Sequence, residues 1–313
     1  MSEEQHPYFQ KALDALDGGD LEALSIMIDE HPDLVKAKYL GEEDFYGGYF
    51  WRPTLLHHIA GNPIRGPLPE NIVKITRALL EAGADVNATC GGGPNQPNSG
   101  GATVLGLLVS GKQAHEHGVT EQLLDILLKA GAKLNPDGKG GAMWIALYHT
   151  VEHQGQREVA QMLYDRGHPV DFCYAAGLGL QEKVQSYFDE DGRLKPDADL
   201  YYRHQRPIGA AAREQDILND ALMFATVTNA VETATLLLDK GAEINTPRQW
   251  GGYEVVTPLH LAAWAGWKEI TQLLLDRGAD HTLKDDNHNS TPAVWAQYCG
   301  HLETWGLLLK YEK

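Results

Sequence analysis

Apolar residues along this chain fall into short paired blocks separated by glycines and polar turns. The clearest block opens Thr257-Pro258-Leu259-His260-Leu261-Ala262-Ala263 and passes through Gly266. It resumes from Ile270 to Leu275 and closes on Gly278-Ala279-Asp280. Thr257 suits a helix N-cap, and Pro258 suits the first helical position, where a backbone N–H would be unpaired anyway. Ala262 and Ala263 are small enough to let two helices approach closely. Gly266 permits a tight turn into a second helix that buries its leucines, and Gly278 ends that helix in a left-handed cap. The pattern predicts a helix, a turn, a second helix and an extended finger. A second copy starts at Thr291-Pro292, 34 residues on, and continues through Ala293-Val294-Trp295-Ala296 and Gly300-His301-Leu302-Glu303.

These residues resemble the ankyrin-repeat family, in the pattern T-P-L-H-L-A-A, G-x-x-E, L-L-L-x-x-G-A-D, with a period one residue longer than usual. The resemblance implies an all-α solenoid of stacked helix-turn-helix units with finger loops. It also implies that the Thr and His side chains bond to each other and to neighbouring repeats, which makes His260 structural.

Weaker copies lie upstream. Thr54-Leu55-Leu56-His57-His58-Ile59-Ala60 leads to Leu79-Leu80 and Gly83-Ala84-Asp85. Thr103 to Leu108 leads to Leu127-Leu128 and Gly131-Ala132, Ala142 to Leu147 leads to Gly167, and Asp220 to Thr226 leads to Gly241-Ala242-Glu243. Two degenerate units run Ala12 to Ile28 and Ala175 to Phe188. The expectation is one array over 1–313, with approximate units 9–40, 53–87, 102–135, 141–171, 172–199, 219–246, 257–285 and 290–313. Acidic residues before the first unit, and a last unit ending at Leu307-Leu308-Leu309-Lys310, suit terminal caps that face water.

The spacing is irregular. Helix-ending glycines at 83, 131, 167, 241 and 278 are separated by 48, 36, 74 and 37 residues, and the 74 spans two units. The extra residues enter as inserts, which in solenoids collect on one face, often the binding face. Three inserts are aromatic: Tyr46 to Arg52, with Tyr49, Trp51 and Arg52; Tyr201 to Arg206, with Tyr201, Arg203 and His204; and Trp250 to Tyr253. Exposed Tyr, Trp and Arg dominate binding hot spots, so these residues, with Trp264, are the candidate contacts. The competing reading is that the rings fold back to cover repeat ends. His58 is the further candidate. It stands where Leu261 stands and is expected to face the core, as a satisfied core residue or a functional one.

No catalytic set emerges. The run Cys90 to Gly101 has the composition of a flexible loop and lacks the strand and Lys-Ser/Thr ending of a phosphate cradle. Ser110-Gly111-Lys112 lacks the preceding Gly of a nucleophile elbow. His149 and His153 share helical spacing without the glutamate of a zinc-peptidase motif, and His57-His58 and His115-Glu116-His117 form no ligand pattern. No cofactor or metal is expected, and the chain is read as a binding protein, not an enzyme.

Charge sharpens the partner. Twenty-six Lys+Arg against 43 Asp+Glu leave −17 at neutral pH. That balance disfavours nucleic acid and anionic membranes and favours a protein with a basic surface. There is no signal-peptide pattern and no apolar stretch of membrane-spanning length. Three widely spaced cysteines (Cys90, Cys173, Cys299) read as reduced thiols, so the expected setting is cytoplasmic. A monomer is expected, binding a protein through its concave face and inserts. The alternative is a small-molecule binder or an enzyme whose inserts close a pocket.

Overall fold

In the best-formed repeat Thr257 lies in extended backbone (φ −86°, ψ 163°), and Pro258–Ala265 then runs as a helix. Gly266 ends it at φ +73°, ψ 19°, a left-handed conformation that costs glycine nothing extra. A second helix, Lys268–Asp276, follows. Gly278 (φ +87°) lets the N–H of Ala279 return to the carbonyl of Leu274 at 2.9 Å. This cap satisfies carbonyls that the helix end would leave open.

The structure, a computed structural model, describes residues 4–40, 50–60, 67–92, 101–134, 141–151, 156–195, 198, 214–250 and 254–311. The chain forms two units, Met1–Leu134 and Asn135–Lys313.

The first unit contains α1 (Phe9–Asp17), α2 (Leu21–Glu30), α3 (Ile72–Glu81), α4 (Val104–Ser110), α5 (Gln113–Glu116) and α6 (Thr120–Lys129). Strands β1 (Thr89–Cys90) and β2 (Ala102–Thr103) pair antiparallel, so the glycine-rich insert leaves from the end of a short hairpin. Helices α1, Leu55–Ala60 and α4 form one row, and α2, α3 and α6 form a second. Leu55–Ala60 is a 3-10 helix, where the repeat pattern predicts an α-helix. It is too short to develop further, because the sequence goes on Gly61-Asn62-Pro63, a poor continuation for either helix type.

The second unit contains α7 (Gly141–Tyr148), α8 (Gln156–Asp165), α9 (Phe172–Leu178), α10 (Gln181–Ser186), α11 (Glu214–Val227), α12 (Val231–Asp239), α13 (Pro258–Ala265), α14 (Lys268–Asp276), α15 (Pro292–Tyr298) and α16 (Leu302–Leu308). Strands β3 (Arg248–Trp250) and β4 (Glu254–Val256) form a hairpin between α12 and α13. First helices α9, α11, α13 and α15 stack in order, and second helices α10, α12, α14 and α16 stack beside them. Helix α11 starts two turns earlier than the repeat pattern predicts, at Glu214. Gly179 occupies the same place in its repeat as Gly266 and also ends its helix at φ +73°.

Neighbouring repeats are stapled by side chains. His260 accepts the N–H of Thr257 at Nδ1 (3.3 Å), and its Nε2 lies 3.0 Å from the carbonyl of Ser290. His57 repeats this geometry, with Thr54 N–H at 3.1 Å and the Ala88 carbonyl at 3.1 Å. His57 therefore holds the same structural place in its repeat as His260 does. Asn245 donates to the Gly278 carbonyl and accepts from Asp280 N–H, and Asn87 does the same with Gly131 and Lys133.

Candidate binding surface

The β3–β4 hairpin and the first-helix row carry the described candidates of the second unit. Arg248 anchors the hairpin to α11. Its Nε donates to Asp220 at 2.7 Å and its Nη1 to Asp216 at 3.0 Å. Burial works against the guanidinium charge, but the carboxylates of Asp220 and Asp216 outweigh it and hold the pKa above its ordinary value.

This anchor sets the position of Trp250, which corrects the expectation of an exposed ring. Trp250 is 1% exposed. Phe224 meets it edge-on with centroids 5.1 Å apart, Trp144 lies 5.6 Å away and Tyr148 stacks on it at 6.1 Å. The reading in which the ring folds back over the repeats describes Trp250. Its neighbour in the insert, Tyr253, lies outside the described residues, as do Tyr49, Tyr201, Arg203, His204 and His153.

Trp264, on α13, is half-buried. Its ring meets Trp295 of α15 at 5.2 Å, and Trp295 in turn faces His288 of the adjoining finger at 6.0 Å. Trp295 Nε1 donates to Asp285 at 3.0 Å. Burial opposes the charge of Asp285, yet donors from His288, Trp295, Ser290 and Asn287 keep its pKa below the ordinary carboxylate value. One turn beyond Trp295 stands Tyr298, 92% exposed. It occupies the position of Trp264 one repeat later. Sequence reasoning missed it, although advancing Trp264 by the 34-residue period would have found it.

In the first unit Trp51 is half-buried, its carbonyl taking the Gly91 N–H at 2.8 Å, and Arg52 is exposed at φ +52°. His58 is buried, as its register with Leu261 requires, with Phe50 5.0 Å and Phe9 6.5 Å from its ring. Burial pulls its pKa down to about 3, and the burial of His57 brings that residue to about 4, so both are neutral at pH 7. Cys90 and Cys173 are buried, and burial pushes the Cys90 thiol up to about 12, which keeps it from serving as a thiolate. Among the described residues no three His, Cys, Asp or Glu side chains group as metal ligands. Nor is any helix among them long and apolar enough to cross a membrane.

Stacked helix pairs joined by fingers and stapled from repeat to repeat define a helical-repeat protein. Residues 222–313 match the family model of ankyrin repeats in three copies. Human 2-5A-dependent ribonuclease is similar at 32% identity over 98 residues, which is 31% of this chain and 13% of that protein. Human transient receptor potential cation channel subfamily A member 1 is 33% identical over 92 residues, 27% of this chain and 8% of the channel. Rat palmitoyltransferase ZDHHC17 is 27% identical over 118 residues, 38% of this chain and 18% of the enzyme. The chain thus spans less than a fifth of each of these relatives. Ankyrin repeats are in general protein-interaction modules.

Proposed function

We propose that this chain is a protein-recognition module that binds a partner with a basic surface and performs no chemistry on it. The observation that carries the reading is the aromatic stripe on the first-helix row, where Trp264 and the 92%-exposed Tyr298 hold equivalent positions in successive repeats. Large rings with a polar edge give contact area at low entropic cost, and they are the residues that dominate interfaces. The net charge of −17 favours a basic protein over nucleic acid or an anionic bilayer, and makes the complex sensitive to salt. Arg52 and half-buried Trp51 are the corresponding candidates in the first unit. The three free thiols fit a reducing, cytosol-like setting, and the chain is read as a monomer.

The alternative, a small molecule held in a pocket closed by the inserts, is less favoured. Trp250, an insert ring, is packed against Phe224 and Trp144.

Affinity capture from native lysate tests the reading, with wild type beside a Trp264→Ala/Tyr298→Ala variant at low and high salt. The expected outcome is a protein retained by wild type at low salt, weakened by salt and lost by the variant. Failure of wild type to retain any protein specifically, with the fold intact, would overturn it.

A further inference from the structure

Successive layers of the second unit meet through a fixed set of positions. From α13, His260 and Trp264 face the ring of Trp295 at 5.9 and 5.2 Å. From α14, Lys268 pairs with Glu303 at 3.1 Å, and Gln272 donates to the hydroxyl of Tyr311 at 2.9 Å. These four residues are spaced four apart, and each touches the layer that follows. Helices α13 and α15 start 34 residues apart, as do α14 and α16. That period carries the set to Val294, Tyr298, Leu302 and Gly306. The imidazole, the ammonium and the amide of one layer become valine, leucine and glycine in the next.

The set on α15 and α16 lies open to water. Val294 is 47% exposed, Leu302 69%, and Tyr298 more than either. A Cβ on Gly306 would meet no described atom within 4 Å. A solenoid surface left to water is ordinarily polar, and a contiguous apolar patch marks an interaction site. Glu303 is the one charged residue of the two helices, next in the chain to Leu302. The finger that enters α15 adds the exposed Asp286.

We infer that Val294, Tyr298, Leu302 and Gly306 form a docking surface that continues the stacking interface of the array, and that its occupant is a basic amphipathic helix of a partner protein. The interface one layer earlier says what covers such a face. There the covering elements are helices, and the first of them brings a large ring to His260 and Trp264. With Val294 and Leu302 in place of a histidine and a lysine, the covering helix needs an unbroken apolar strip. Side chains at i, i+3, i+4 and i+7 supply one. Gly306 contributes no side chain, so the helix can approach closely there. Charge selects the flanks of the strip. Glu303 and Asp286, on a chain of net charge −17, favour lysine and arginine and disfavour a second copy of this chain. The inference rests on the partner-binding reading and names the element that the partner presents. Val294, Leu302 and Gly306 take no part in the test of that reading, so the two can fail separately.

The probe is a fluorescein-labelled helical peptide with leucines at i, i+3, i+4 and i+7 and lysines between them, titrated by anisotropy at physiological salt. A scrambled peptide of the same composition controls for charge alone. The full chain is expected to bind the patterned peptide about tenfold more tightly than the scrambled one. Val294→Ser/Leu302→Ser should weaken binding of the patterned peptide by about tenfold. Gly306→Gln, which restores the residue of the preceding repeat and favours the helix, should weaken it as well. Equal affinity for the two peptides, or for wild type and both variants, would overturn the proposal. Loss of binding in Trp264→Ala, with full binding by Val294→Ser/Leu302→Ser, would place the contact on the first-helix row. That result would end this proposal and leave the proposed function standing. Sedimentation velocity of the chain alone supplies the last arm. A concentration-dependent dimer that Val294→Ser/Leu302→Ser abolishes would make a second copy the occupant and likewise overturn the proposal.

Discussion

Arg248 Nε lies 2.7 Å from the carboxylate of Asp220, a residue that is itself only 4% exposed. This contact ties a hairpin to a helix 28 positions earlier and holds Trp250 against Phe224. Arg248→Ala would leave Asp220 buried without its counter-charge. The expected destabilisation is about 2–4 kcal/mol, the low end reflecting the partial exposure of the guanidinium. Urea denaturation would measure it, and a red shift of tryptophan emission should accompany it as Trp250 becomes hydrated. A loss under about 0.5 kcal/mol, the scale of an exposed pair, would show that the anchor is not a buried one.

Acid should unfold the first unit through its adjacent histidines. Burial lowers His58 to about 3 and His57 to about 4, whereas both titrate near 6.5 when unfolded. Below pH 6.5 the unfolded chain takes up protons that the folded chain refuses, so stability falls as pH drops from 6.5 toward 4. The slope is about 1.4 kcal/mol per pH unit for each histidine. His58→Leu, the residue at the equivalent place in the 257–285 repeat, should reduce that slope by one histidine's share. Denaturant midpoints at pH 7.5, 6.0 and 5.0 would show it, and a slope unchanged by the substitution would contradict the assignment.

Two glycines of identical φ should respond differently to alanine. Gly179 and Gly266 both sit at +73°, so each substitution carries the left-handed penalty of about 1–2 kcal/mol. At Gly266 a Cβ would lie 2.5 Å from Nδ1 of the His301 ring, whereas at Gly179 it meets the flexible end of Arg157 at 3.3 Å. Gly266→Ala should therefore lower the melting temperature more than Gly179→Ala. Equal shifts would mean that the His301 ring moves aside without cost.

Among the described residues, two successive fingers of the second unit are stapled differently. Asn245 alone serves Gly278 and Asp280, whereas the equivalent contacts to the preceding finger are divided. Gln215 donates to the Gly241 carbonyl at 2.8 Å, and Asn219 accepts the Glu243 N–H at 2.8 Å. Asn219 is buried and Asn245 exposed. Asn219→Ala is expected to cost about 1–3 kcal/mol and Asn245→Ala about 1 kcal/mol or less, because an unsatisfied polar group is costly only away from water. Chemical denaturation of the two variants would rank them.

The part of the fold legible in the sequence depends on residues close together in the chain. Thr257 with His260, Pro258 at the first helical position, and Gly179, Gly266 and Gly278 at helix ends all act within four or five residues. Their pattern was enough to identify the repeats, and the shared Thr-x-x-His motif matched His57 to His260 and His58 to a core position. Contacts between distant residues set the burial of Trp250, the 3-10 form of Leu55–Ala60, and the use of Gln215 and Asn219 in place of a finger asparagine. The sequence leaves the exposure of Trp250 open, because an aromatic residue in a glycine-rich insert has no local partner. Its partners are Trp144 and Phe224, 106 and 26 positions away, and whether a ring is solvated or buried depends on which distant side chains the fold brings within about 6 Å of it.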